Sequence, residues 1–104
     1  MKAKVCLSFD EVFHGEPGSI HLANDNTLVF RCPRAAECKR TFGDGETECR
    51  GICQIPVNRK DAAGRGWDMT GWPDSVTLSP SVFNCQGQKC QWHGWLRNGE
   101  WVNA

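Results

Sequence analysis

"CQWHGWLRNGEWV", residues 90–102, decides the fold. Asn98-Gly99 is the strongest two-residue hairpin signal, because both positions tolerate the positive φ of a type I′ turn. Folding the stretch about that turn sets Arg97 opposite Glu100 and Leu96 opposite Trp101, a charged pair and an apolar pair on adjacent rungs. Trp92 and Trp95 lie three apart on one strand and therefore point to opposite sides. One side belongs to a core and the other to the surface.

Working outward, strand patterns dominate. "SIHLAN" (19–24) and "TLVFRC" (27–32) flank the turn-prone Asp25-Asn26 and predict a second hairpin. "KVCLSF" (4–9), "GICQIPV" (51–57) and "SVTLS" (75–79) predict further strands. No segment sustains an i, i+3, i+4, i+7 apolar stripe, and 11 glycines and 5 prolines interrupt the chain too often for long helices. Residues 58–74 form a polar, glycine-rich connection that carries Trp67 and Trp72. The expected class is mostly β: a single small domain over residues 1–104, built of hairpins with little helix.

At 104 residues such a domain buries roughly 60–70% of its unfolded surface. Twelve basic and 12 acidic residues cancel, so no overall field draws the chain to nucleic acid or to an anionic membrane. "MKAKVCLSFDEVF" has no apolar run suited to a signal peptide, and no stretch reaches the ~18 apolar residues of a membrane span. These features predict a cytoplasmic protein.

The 7 cysteines are an odd number, and in a reducing compartment paired cysteines are more often metal ligands than disulfides. "RCPRAAECKRTFGDGETECRGICQIPV" (31–57) folds back about Phe42-Gly43-Asp44-Gly45, bringing Cys38 towards Cys49 and Cys32 towards Cys53. Joined by Cys90 and His93 of the last strands, these thiols could build a tetrahedral zinc site from two distant segments. The spacings within the excursion are not the Cys-x-x-Cys of a zinc knuckle, and Cys38 and Cys49 could equally pack or bond to one another. Cys6 stands alone and reads as a core residue.

The C-terminal third, "WDMTGWPDSVTLSPSVFNCQGQKCQWHGWLRNGEWV", resembles a family of small phage and bacterial proteins of unknown function, phage members of which carry an ammonia monooxygenase label. The resemblance rests on "TLSPSV" (77–82), on Cys90-x-x-His93 leading into an aromatic strand, and upstream on "FRCP" (30–33) and "CQIPV" (53–57). It implies a structural Zn2+ held by Cys32, Cys53, Cys90 and His93. The inserted "RAAECKRTFGDGETECRG" leaves Cys38 or Cys49 as alternatives to Cys53. The resemblance carries no established activity.

Two catalytic readings compete with this one. "HGEP" (14–17) contains the His-x-Glu of zinc deaminases, with His14 as ligand and Glu16 as proton shuttle, but the partner Pro-Cys-x-x-Cys is missing. A thiol nucleophile, Cys90 or Cys85 with His93, needs an activated thiol, and a metal site accounts for the same residues with less. A four-ligand zinc site is closed and offers no open position for water. The sequence therefore points to a non-catalytic, zinc-stabilised β module that binds another protein, an accessory factor of phage or prophage origin. The alternatives are a virion or assembly component, and a single-stranded nucleic-acid binder using Arg31, Arg34, Lys39, Arg40, Arg59, Lys60 and Arg65. For the 5 tryptophans, core filling is favoured over a base-stacking platform.

Overall fold

The computed structural model describes residues 1–37, 39–42, 45–48, 51–87 and 91–104. Strand β1 (Lys4–Val5) leads into the single-turn helix α1 (Phe9–Phe13), and the hairpin of β2 (Ser19–Leu22) and β3 (Thr27–Arg31) follows. A short 3-10 turn (Ala35–Glu37) precedes β4 (Lys39–Phe42), β5 (Gly45–Glu48) and β6 (Ile52–Pro56). The rest of the chain runs through β7 (Asp68–Thr70), β8 (Thr77–Ser79), β9 (Val82–Asn84), β10 (Trp92–Arg97) and β11 (Glu100–Asn103). The mostly-β expectation holds.

The strands form a four-stranded sheet in the order β1-β2-β3-β6, a three-stranded sheet β11-β10-β9, and the paired ribbons β4-β5 and β7-β8. The final hairpin has the expected register, with Leu96 opposite Trp101 and Arg97 opposite Glu100. Its turn is closed by positive φ at both Asn98 (49°) and Gly99 (76°), as a type I′ turn requires. The β2–β3 hairpin turns through Asn26 at φ 59°, a conformation asparagine tolerates because its short side chain can bond locally.

Alternation then sorts the side chains. Leu28 and Phe30 of β3 face inward with Ile20 of β2, and meet Val82, Trp92, Leu96 and Trp101 from the second sheet in one buried cluster. Trp101 is the centre of that seam: its ring lies 5.2 Å from Phe30 and 5.3 Å, edge-on, from Trp92, and its indole N–H donates to the Gly18 carbonyl at 2.9 Å. Val29, on the opposite face of β3, packs with Cys6 and Val12 under α1. Cys6 is thus the core residue the sequence suggested.

Two local expectations differ. The 4–9 pattern predicts one strand, but only Lys4–Val5 pairs and Phe9 opens α1. Ser8 caps that helix by accepting from the Glu11 N–H at 3.1 Å, while the Glu11 carboxylate accepts from the Leu7 N–H at 2.9 Å. This reciprocal capping outweighs a weak strand pattern. In the 58–74 connection, Asp68–Thr70 forms a strand against β8, and Trp67 and Trp72 pack on the main core.

Candidate functional site

The site follows from the register of β9 against β10. Phe83 stands opposite His93 and Val82 opposite Gly94. Because side chains alternate, Ser81 just before β9 falls on the same face as Phe83, and diagonal to His93. That face points away from the core: Val82, Trp92 and Leu96 are buried on the other side, whereas Phe83 is 47% exposed. Across this outer face the His93 Nε2 lies 3.1 Å from the Ser81 Oγ. A hydroxyl and an imidazole meet in hydrogen-bonding contact at the surface.

Each partner is held from behind. The indole N–H of Trp67 donates to the Ser81 carbonyl at 3.2 Å, fixing the main chain at the serine. The His93 carbonyl accepts from the Ala104 N–H at 3.0 Å. Gly94 lets β10 lie flat here: a Cβ at that position would collide with the Val102 carbonyl and the Trp92 ring. The imidazole is flanked by Phe83, edge-on at 5.5 Å, and by Trp95 at 6.1 Å. Arg97 stacks over the Trp95 ring at 4.5 Å. Among the described residues no carboxylate contacts His93, so the unit is a dyad flanked by aromatic rings. With its proton on Nδ1, the imidazole accepts the Ser81 hydroxyl proton at Nε2, the arrangement that activates a serine for attack on a carbonyl.

Three of the four expected zinc ligands, Cys32, Cys53 and His93, fall among the described residues. Pairing of Phe30 with Cys53 and the Cys32 N–H donating to the Gly51 carbonyl at 2.7 Å bring Cys32 and Cys53 to one end of the four-stranded sheet, as the folded-back excursion suggested. Cys85, which the zinc assignment omitted, joins them: its thiol neighbours both, and Asn84 donates to its Sγ at 3.5 Å. Asn84 and Trp92 pair on the face of β9–β10 opposite His93. The structure therefore does not bring His93 to these thiols. Cys38, Cys49 and Cys90 lie outside the described residues, and so does the suggested Cys38–Cys49 contact. Among the described residues no three His, Cys, Asp or Glu side chains could hold a metal ion, so the zinc-binding character expected of the module finds no support there.

The four described cysteines are free thiols. Burial pushes Cys32 up to about 11, with repulsion from Cys85 adding to it against hydrogen bonds from Arg34 and Asn84. Burial, followed by repulsion from Cys85 and Cys32, pushes Cys53 up to about 12. Neutral thiols are poor nucleophiles. Both groups hold their protons in the folded chain at pH values where an unfolded thiol, near 9.0, has released its own. Stability is then fully present below about pH 9 and lost as pH rises towards 11–12. Urea midpoints measured at pH 7.5, 9 and 10.5 are expected to fall over the last interval (roughly the window set by those thiols). The fall should be shallower in Cys53→Ala.

The other catalytic and binding candidates separate. His14 caps the C-terminus of α1 and lies 3.5 Å from Asp10, at the surface. Three of the arginines proposed for nucleic acid are engaged elsewhere: Arg31 is buried and donates to the Gly15 carbonyl, Arg34 donates to the Gln91 carbonyl, and Arg59 to Asp25 and Thr27. Among the described residues no helix is long and apolar enough to cross a membrane.

Residues 8–104 match the family described as BubE, the bacterial ubiquitination-like system serine protease. The chain belongs to the BubE family. No curated protein and no solved structure matches it. This corrects the resemblance to a zinc-binding family of unknown function, because the BubE match spans nearly the whole chain, including both stretches that suggested the resemblance. It also overturns the reading as a non-catalytic zinc module of phage origin, with its virion and nucleic-acid alternatives: a serine protease family points to an enzyme. Ser81 is the residue the sequence reading missed. The signal was present in "TLSPSV", since a strand starting at Val82 and paired with 92–97 places that serine diagonal to the histidine.

Proposed function

We propose that this BubE-family chain is a serine protease that releases a ubiquitin-like protein from the groups attached to its C-terminus, with Ser81 as nucleophile and His93 as general base. The observation that carries the reading is the 3.1 Å contact between Ser81 Oγ and His93 Nε2 on an exposed face. Ser81 Oγ attacks the carbonyl carbon at the end of the ubiquitin-like tail while its proton passes to Nε2. The resulting imidazolium returns that proton to the leaving amine or alcohol as the tetrahedral intermediate collapses to an acyl-serine. A water, deprotonated by the same imidazole, then hydrolyses the ester and restores the hydroxyl. The rings of Phe83 and Trp95 restrict the imidazole to the orientation facing Ser81, which in a triad is the task of a carboxylate.

The test is incubation of the purified chain with the ubiquitin-like protein of its own system carrying a short C-terminal extension, followed by intact-mass measurement. The expected product ends at the mature C-terminus, and neither Ser81→Ala nor His93→Ala yields it. Equal processing by Ser81→Ala would overturn the assignment.

A further inference from the structure

The strand that follows Ser81 also has an edge that no described residue pairs. In the order β11-β10-β9, β9 is the outer strand. The His93 carbonyl points towards β11, where it accepts from Ala104, so the main-chain groups of Trp92 and Gly94 point towards β9 and bond Asn84 and Val82. In an antiparallel ladder the intervening residue then turns both its N–H and its C=O the other way. That residue is Phe83. Among the described residues nothing pairs with its main chain. Two residues earlier, the Ser81 carbonyl is already occupied by the Trp67 indole N–H, which closes the edge at the nucleophile.

We infer that the tail of the substrate binds by adding an antiparallel strand to the edge of β9, exchanging two main-chain hydrogen bonds with Phe83. This rests on the protease reading. An antiparallel strand runs from a position opposite Phe83 to one opposite Ser81, so the residue opposite Phe83 precedes the scissile residue by two, on the acyl side. Cross-strand partners share a face. The substrate side chain at that position therefore lies beside the half-exposed Phe83 ring, on the face that continues into Trp95 and the 40% exposed Val102. An apolar residue suits it. Main-chain pairing supplies register and this single contact supplies selectivity, the usual division in strand addition.

The occupant is an extended C-terminal tail rather than a folded surface, because the free groups belong to one residue and sit about 7 Å along the strand from the serine. The test uses N-acetylated hexapeptide thiobenzyl esters with leucine two residues before the ester-bearing residue, each N-methylated at one position. Methylation of that leucine's amide is expected to lower kcat/KM by ~10-fold, the loss of one such bond, while methylation of the next residue's amide leaves it unchanged. Aspartate in place of the leucine should also lower it. Hydrolysis indifferent to methylation at either position would overturn strand addition even with Ser81 active. Failure of a fluorophosphonate to label Ser81 would overturn the protease reading, and this docking mode with it.

Discussion

Ser81→Ala is expected to lower kcat for tail cleavage by ~10⁴-fold or more, with little change in KM, because removing a nucleophile eliminates the covalent route and leaves only binding and polarisation. Its side chain is a small group on the outer face of the second sheet, and its hydroxyl contacts His93. Nothing in the core depends on it. The variant should therefore unfold within ~0.5 kcal/mol of the parent, as surface substitutions generally do. Kinetics and a urea melt on the same preparation separate loss of chemistry from loss of fold. A comparable loss is expected for His93→Ala, and the double variant should be little worse than either single one, since two residues acting as a unit are not additive.

Trp101→Ala is expected to act the opposite way, through the fold. The Trp101 ring fills the seam between the two sheets against Phe30 and Trp92, and its N–H satisfies the buried Gly18 carbonyl. Truncating a buried tryptophan costs about 3–5 kcal/mol, and stranding a carbonyl adds to it. Against the ~5–15 kcal/mol typical of a whole domain, this threatens folding itself. The urea midpoint should drop steeply, and activity should vanish with folded structure rather than before it. A midpoint within experimental error of the parent would contradict the packing described for the seam.

The parts legible in the sequence were those fixed by local chemistry. Asn98-Gly99 set the β10–β11 register because a type I′ turn admits few residues, and folding 31–57 about its central glycines correctly placed Cys32 near Cys53. Helix α1 was missed although Ser8 and Glu11 stand at capping-box spacing, because the apolar residues before it were read with period two. Ser81 and His93 were harder to connect. Asn84 and Trp92 are too far apart in sequence for a two-residue turn to specify the pairing of β9 with β10, so the diagonal that joins them is a tertiary result. Proximity in sequence instead drew His93 to Cys90 and to a metal site. A histidine three residues from a cysteine satisfies zinc spacing equally well whether its ring points inward or outward. Alternation against buried Trp92 would have turned it outward.

The most direct test of the account is reaction of the purified chain with a fluorophosphonate, followed by peptide mapping of the phosphonylated residue. A single adduct on Ser81 is expected, formed by the parent and strongly slowed in His93→Ala. An adduct on any other serine, or labelling of Ser81 that proceeds equally well without the His93 imidazole, would contradict it.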